Sequence, residues 1–402
     1  MRVIELENGI KVALEERREL GSVTLNLWVK AGAAYEEDRN RGVAHFLEHV
    51  LFNGSKKYGK GEIDRIVEEM GGELNAATSY DYTYYYINLP AGRGERGVEL
   101  LKELVLNPLI CEEAVEKEKP IVLEEITRSR DNPQEVFVEE FLRRLYTKAP
   151  YRYPILGFPE TVSSFTAETL KEFYDSLYKP DRITLVVAGN FERERILREV
   201  KELFEEVKGR SSVKEAEAEK ELLVPKEFEL KHPAVSVPYL MLGWKLPPAG
   251  RDDVYYEILD SLLSSGRSAL LYRRIREKGL AYAAYSNYQN LLLGSNYSIV
   301  AVTDDVERTR KAVKEVIREV LQVSKEEFEF AKAKLRKGEL FGRESGEATA
   351  DAIGYAVGIM EDEGYYSKFF EDLDGAEYEQ FLEKIKFLEQ EPLVGLLLPE
   401  TS

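Results

Sequence analysis

Residues 42–52 read Gly-Val-Ala-His-Phe-Leu-Glu-His-Val-Leu-Phe and contain two of the three histidines of this 402-residue chain. An α-helix turns by about 100° per residue, so His45, Glu48 and His49 fall within one third of its circumference. The other positions are apolar on every side, which is typical of a buried helix. Three titratable side chains in such a helix need a partner that offsets their desolvation. The spacing favours a divalent metal: the histidines ligate it and the glutamate reaches its water. The alternative is a pair of core histidines bonded to backbone.

A third metal ligand is expected from the acidic stretch 111–130, because a catalytic zinc usually has three protein ligands and one open position. On a helical wheel the apolar side is defined by four residues, Val115, Ile121, Val122 and Ile126. Glu118 and Glu125 fall within this apolar arc, whereas Glu124 lies opposite. A carboxylate on the buried side of a helix requires a partner that offsets its desolvation, whereas one on the solvent-exposed side does not. Either acid could be the ligand, with the other orienting it. Glu125 is preferred because it lies beyond Pro120, which is expected to kink the helix or start a new one.

The composition describes a folded protein of two domains, since 402 residues exceed one ordinary core. The net charge of −18 disfavours nucleic acid and anionic membranes as partners. The single cysteine, Cys111, excludes an intrachain disulfide and a cysteine-based zinc site. No apolar run approaches the roughly 18 residues of a membrane span, and the N-terminus shows no signal-peptide core. These observations predict a cytoplasmic protein.

The chain reads as mixed α and β in two halves, 1–208 and 223–402, joined by a polar linker at 209–222. Strands are predicted at 11–15, 24–30, 83–89, 183–188 and 235–244. Helices are predicted at 42–52, 61–70, 93–105, 112–130, 134–145, 167–177 and 252–263. His232 is expected to be an ordinary residue at a strand end.

The second half repeats the opening pattern of strand, turn and helix. Matching Gly54 with Gly266 aligns His45, Glu48 and His49 with three residues of the second half, namely Glu257, Asp260 and Ser261. These three residues do not form a histidine pair. The sequence therefore predicts one metal site per chain, in the first half.

Residues 32–58 read Gly-Ala-Ala-Tyr-Glu-Glu-Asp-Arg-Asn-Arg-Gly-Val-Ala-His-Phe-Leu-Glu-His-Val-Leu-Phe-Asn-Gly-Ser-Lys-Lys-Tyr and contain the inverted zinc motif H-x-x-E-H. This segment, together with 71–79, 122–126 and 178–181, resembles the pitrilysin-type metallopeptidases, whose members include insulin-degrading enzyme and the mitochondrial processing peptidase. The resemblance implies an α+β fold of two related halves, each a mostly antiparallel sheet packed with helices, that close as a clamshell.

The resemblance also implies roles for individual residues. Zinc would be bound by His45, His49 and Glu125, with Glu48 as general base and Glu118 as supporting acid. Substrate backbone would lie along an edge strand, in a segment that the resemblance places around two residues, Asn75 and Ala77.

In the second half, the resemblance assigns Arg276 and Tyr282 to the substrate carbonyl near the zinc. The segment between them is one residue shorter than in the family, so Arg273 or Arg274 could replace Arg276. Pro120 is a second departure, because the family usually has another residue there.

The sequence thus predicts a zinc metalloendopeptidase that cleaves peptides or unfolded segments. One alternative is a peptidase that removes defined leader sequences, and another is a non-catalytic scaffold or binding subunit. The complete metal set argues against the scaffold. The expected assembly is a homodimer, with a heterodimer containing a related metal-free subunit as the alternative.

Overall fold

The computed structural model describes residues 1–219 and 226–400, which form two compact α+β units. Unit 1 comprises Met1–Arg128, Tyr153–Ala216 and Gly342–Ser367. Unit 2 comprises the described parts of Ser129–Arg152, Glu217–Phe341 and Lys368–Ser402. None of the helices in these ranges is both long enough and apolar enough to cross a bilayer.

The described residues contain eleven strands and fifteen α-helices. The strands are β1 (Arg2–Glu5), β2 (Lys11–Glu16), β3 (Ser22–Val29), β4 (Glu73–Thr78), β5 (Thr83–Pro90), β6 (Ile183–Gly189), β7 (Glu227–His232), β8 (Tyr239–Lys245), β9 (Ala283–Gln289), β10 (Asn296–Val302) and β11 (Leu393–Pro399). The helices are α1 (Val43–Leu51), α2 (Glu62–Glu69), α3 (Gly94–Leu106), α4 (Glu112–Asp131), α5 (Pro133–Leu145), α6 (Pro159–Ser163), α7 (Ala167–Leu177), α8 (Arg193–Phe204), α9 (Asp253–Ser264), α10 (Val306–Val320), α11 (Lys325–Gly342), α12 (Gly346–Gly354), α13 (Glu363–Ser367), α14 (Phe369–Gly375) and α15 (Tyr378–Lys384).

Most predicted elements form within one or two residues of their expected ends. The strand predicted at 235–244 begins later, at Tyr239. The reason is that Pro238 has no N–H to contribute to a strand ladder. His232 ends β7, as expected from the sequence.

The sheets of the two units share one topology. Sheet 1 has the order β1-β2-β6-β3-β5-β4, and sheet 2 has the order β7-β11-β8-β10-β9. If β7 to β11 are matched with β2 to β6 in chain order, the two orders coincide. The pairings coincide as well: β2 and β6 are parallel, as are β7 and β11, and the other pairs are antiparallel. The predicted internal repeat is therefore confirmed at the level of topology, and each sheet is mostly antiparallel.

Each unit contains a helical segment from the other half of the chain. Helix α12 packs on β3 and β6 of sheet 1, and α5 packs on β11 of sheet 2. Gly354 allows the close approach of α12, because a Cβ there would overlap the indole ring of Trp28. The compact units thus differ from the predicted division into 1–208 and 223–402. Residues 129–152 of the first half belong to unit 2, and residues 342–367 of the second half belong to unit 1.

The segment predicted as a linker has no helix or strand over residues 209–219, and residues 220–222 lie outside the described part of the chain. Several of its side chains are nevertheless bound. The Ser211 N–H donates to Asp181 Oδ1 at 2.9 Å, and Glu215 pairs with Arg182 at 3.0 Å. This stretch therefore lies along folded structure rather than free in solvent.

Asp351 of α12 makes the stability of unit 1 depend on pH. Its carboxylate accepts a hydrogen bond from Asn26 Nδ2 at 2.7 Å, and burial, with the Glu347 carboxylate, raises its pKa from 3.8 to about 6. The folded state therefore holds a proton that the unfolded state releases between these pH values. The resulting contribution to stability is complete below pH 3.8 and is lost as the pH rises through 6.

We therefore expect Asp351→Asn to stabilise the protein at alkaline pH. The gain in unfolding free energy should be about 1 kcal/mol at pH 8, after allowance for solvent screening of this half-buried group, and close to zero at low pH. Denaturant unfolding at both pH values measures it. An equal gain in unfolding free energy at the two pH values would show that the gain does not come from the ionisation of Asp351.

Candidate metal centre

Three side chains of unit 1 converge where the sequence predicts a metal. His45 and His49 lie on α1, and their Nε2 atoms are 3.6 and 3.5 Å from Glu125 Oε2 on α4. These separations are longer than ordinary hydrogen bonds. They are close to the roughly 3.3 Å that separates two ligand atoms on a tetrahedral zinc with bonds of about 2.0–2.1 Å. Within residues 1–219 and 226–400 this is the only group of three that fits a metal ion.

The protonation state of His45 suits metal binding. Burial, with the neighbouring His49 imidazole, lowers the pKa of His45 from 6.5 to about 3. The ring is therefore neutral at physiological pH, which ligation requires. Its Nδ1 atom is buried and has no hydrogen-bond partner among the described residues. The donor set of two imidazoles and one carboxylate fits zinc.

Glu48 lies on the same helix but outside this ligand group. Its Oε2 accepts a hydrogen bond from Thr78 Oγ1 at the end of β4. Burial raises the pKa of Glu48, and the Glu125 carboxylate adds to this effect. A carboxylate with a raised pKa beside a metal can accept a proton from a bound water. Thr78 fixes the direction of this carboxylate, and the sequence analysis did not single it out.

Glu118 lies on the buried side of α4, as the wheel predicts, and its carboxylate is next to His49. It is 6% exposed, and its Oε2 is 3.6 Å from His49 Nδ1. Its Oε1 accepts hydrogen bonds from Asn53 Nδ2 at 2.8 Å and Lys60 Nζ at 3.3 Å. Glu118 is therefore held where it can orient the histidine. Asn53 and Lys60 were not predicted, because their position depends on the fold of the loop after α1.

Helix α4 continues through Pro120 as one α-helix, so the new helix that was one of the two expectations does not start there. Pro120 is exposed, so water can hydrate the backbone carbonyl that its missing N–H leaves free. Glu124 is exposed and pairs with Arg128 at 3.2 Å.

Three of the four residues predicted for the apolar side of α4, namely Val115, Val122 and Ile126, are buried. The prediction was wrong for Ile121, which is 45% exposed. Ile121 immediately precedes Val122 and is therefore rotated by about 100° from it. The helix face that carries Glu118 is correctly predicted without it.

Asn75 and Ala77 lie on β4, which pairs only with β5 within the described residues and forms one edge of sheet 1. The Asn75 side chain is exposed, and its Oδ1 accepts from the Ala76 N–H at 2.9 Å. The open edge is the geometry that strand addition by a peptide requires. Their role in substrate binding stays a prediction.

Tyr282 and Arg276 belong to unit 2, whereas the three converging side chains belong to unit 1. Tyr282 is 60% exposed and donates a hydrogen bond to Asp304. Arg276 ends a π-helical turn, Tyr272–Arg276, and its guanidinium lies 5.4 Å from the centre of the Tyr272 ring. Arg274, one possible substitute, is held by Glu319 at 2.7 Å. The contribution of Arg276, Arg274, Arg273 or Tyr282 to catalysis stays a prediction.

The equivalent helix of unit 2, α9, carries the residues that align with the metal set. Asp260 accepts hydrogen bonds from Ser286 Oγ at 2.6 Å and Tyr297 at 3.4 Å. Ser261 donates to the Ala331 carbonyl at 3.1 Å. The structure brings no histidine to these residues, and the described part of unit 2 holds no group that fits a metal.

The N-terminus of α1 is held by Glu36, which the sequence analysis did not select. Its Oε2 and Oε1 accept hydrogen bonds from the N–H groups of Gly42 and Ala44, each at 2.9 Å. Gly42 has a φ of 95° and provides no side-chain cap of its own. Glu36 therefore replaces the usual capping residue from six positions upstream. No local sequence pattern indicates a cap at that distance.

Comparison with known proteins identifies the class. Residues 11–158 match the model of the insulinase family, peptidase family M16, and residues 164–335 match that of the M16 inactive domain. An uncharacterized zinc protease of Rickettsia felis is 30% identical over 88% of this chain and 86% of its own length. One of Bacillus subtilis is 31% identical over 71% of this chain and 69% of its own length.

The chain belongs to the M16 peptidase family. Its fold is shared by a protease from Helicobacter pylori, with a TM-score of 0.91, 22% identity and coverage of 99% of both chains. It is also shared by an M16-like peptidase from Alicyclobacillus acidocaldarius, with a TM-score of 0.89, 23% identity and coverage of 99% of this chain and 98% of the other.

Proposed function

We propose that this protein is a zinc-dependent endopeptidase that cleaves peptides or unfolded protein segments. The observation that carries the proposal is the convergence of His45, His49 and Glu125 at separations of 3.5 and 3.6 Å, next to the carboxylate of Glu48. The relatives in Rickettsia felis and Bacillus subtilis are named zinc proteases, which supports zinc as the metal.

The residues of unit 1 divide the chemistry between them. His45, His49 and Glu125 would hold the ion, and Glu118 would orient His49. A zinc ion held there would supply Lewis acidity and make a nearby water more acidic. Glu48 would accept the proton of the attacking water and deliver it to the leaving amine. Its hydrogen bond from Thr78 keeps the carboxylate directed for this transfer.

We propose that the substrate binds as an added strand at the open edge of β4, along Asn75 and Ala77. Main-chain hydrogen bonds would then hold an extended peptide with little dependence on its sequence. Tyr282 and Arg276 would stabilise the oxyanion of the tetrahedral intermediate as hydrogen-bond donors. The proposed assembly is a homodimer in the cytoplasm, with a metal-free related chain as the alternative partner.

Removal of the metal is expected to abolish activity reversibly. Hydrolysis of a quenched-fluorescent peptide should stop after treatment with 1,10-phenanthroline and dialysis, and should return when about one equivalent of zinc per chain is added. Elemental analysis of the active protein should give about one zinc per chain. Two zinc ions per chain would contradict the assignment of a single metal site.

The same assay separates the proposal from its alternatives. Activity that is unchanged after metal removal would exclude a zinc enzyme, and zinc binding without hydrolysis of any peptide would favour a scaffold. A peptide-library profile with many cleavage sites would support a general peptidase, whereas cleavage at one defined site would indicate leader processing.

A further inference from the structure

Two groups fix the start of α1 in space, and both lie outside the proposed metal ligands. Glu36 is buried and accepts from the N–H groups of Gly42 and Ala44, each at 2.9 Å. On the other side, the Arg41 carbonyl accepts from Thr161 Oγ1 at 2.6 Å. The helix therefore cannot shift or rotate at its first turn without breaking these hydrogen bonds.

The backbone around Gly42 leaves no room for an alternative position of the helix start. A Cβ placed on Gly42 would lie 2.6 Å from the Leu156 carbonyl oxygen. With its φ of 95°, Gly42 also has the left-handed conformation that disfavours other residues. The backbone that leads into α1 is thus closely packed at Gly42, the residue whose N–H donates to Glu36.

The side chain of Arg41, the residue before Gly42, forms its hydrogen bond with a residue other than Glu36. Its Nη2 pairs with Asp38 Oδ1 at 2.9 Å, and its guanidinium lies 3.9 Å from the centre of the Tyr153 ring. Its Nε and Nη1 are buried and have no hydrogen-bond partner among the described residues. Both oxygens of Glu36 therefore remain committed to the helix N–H groups.

We propose that Glu36 is a positioning residue for the metal centre. Ala44, which donates to Glu36 Oε1, immediately precedes His45 in the chain, so the carboxylate fixes the position from which the His45 imidazole projects towards Glu125. The proposal rests on the proposed function, because it concerns the same metal site.

The test compares Glu36→Gln with Glu37→Gln, a matched change at an exposed neighbour. The glutamine side chain keeps one carbonyl oxygen but turns an amide group towards the second helix N–H, so one of the two bonds is lost. We expect the zinc dissociation constant, measured by competition with a chromogenic chelator, to rise about 10-fold, at the lower end of the range for outer partners of ligands. At saturating zinc, kcat should fall and KM should stay unchanged, because β4 is untouched. Glu37→Gln should behave as the wild type in each measurement.

The outcomes distinguish the two proposals. If the wild type binds no zinc, the proposed function fails. If the wild type binds zinc and Glu36→Gln binds it equally well, with only a lower melting temperature, Glu36 contributes to stability alone and the inference is overturned. Circular dichroism establishes that the variant is folded. If it is not, Glu36→Asp provides the same test, because it keeps the carboxyl group on a side chain that is one methylene too short to reach both N–H groups.

Discussion

Glu48→Gln should lower kcat for peptide hydrolysis by roughly 100- to 10,000-fold, the range expected for loss of a general base. The amide of glutamine cannot accept the proton of the attacking water. It still accepts the hydrogen bond from Thr78 through its carbonyl oxygen, so the helix and strand should keep their positions. Zinc content, measured by elemental analysis, should remain at one ion per chain, because Glu48 lies outside the group of converging ligand atoms.

Thr78→Val is the companion to this variant, since it removes the hydroxyl and keeps the shape of the side chain. It should lower kcat less than Glu48→Gln does, because the carboxylate remains but is less well directed. Loss of zinc from Glu48→Gln would mean that Glu48 is itself a ligand and that the roles are misassigned.

Glu125→Gln should have the largest effect on the metal. Removal of the charged ligand should weaken zinc binding by more than the roughly 10- to 100-fold typical of an outer partner, whereas Glu118→Gln should stay within that range. Glu124→Gln is the matched control on the same helix. Its side chain is exposed and pairs with Arg128, away from the converging ligands, so zinc affinity should be close to that of the wild type.

Chelator competition on the three folded variants measures these affinities directly. Release of the metal by Glu124→Gln, with normal binding by Glu125→Gln, would contradict the orientation of α4 that the structure gives.

The sequence predicts the part of the site that lies on regular helices. The spacing of His45, Glu48 and His49 places them on one helix face whatever the surrounding fold is. The apolar stripe of α4 likewise limits the third ligand to Glu118 or Glu125. Helical periodicity supplies this information. The periodicity of α4 holds on both sides of Pro120, because the helix continues through that residue.

The sequence does not predict contacts that depend on tertiary structure. Glu36 caps α1 across an irregular segment, and Thr78 meets Glu48 only because β4 lies beside α1. Neither residue has a local pattern that marks it. The sequence also does not predict that 129–152 belong to unit 2 and 342–367 to unit 1. The apolar patterns of helices such as α5 and α12 are compatible with packing on either sheet.

The exchanged segments also determine when the metal-binding unit can be completed during synthesis. Sheet 1 has all six of its strands once residue 189 has emerged from the ribosome, but α12, which covers β3 and β6, ends at residue 354. While the intervening 165 residues are synthesised, the apolar surface around Trp28 lacks α12, the helix that packs on it in the folded protein. Such exposed intermediates are prone to aggregate or to bind chaperones. Unit 1 is therefore completed only after most of unit 2 has been made.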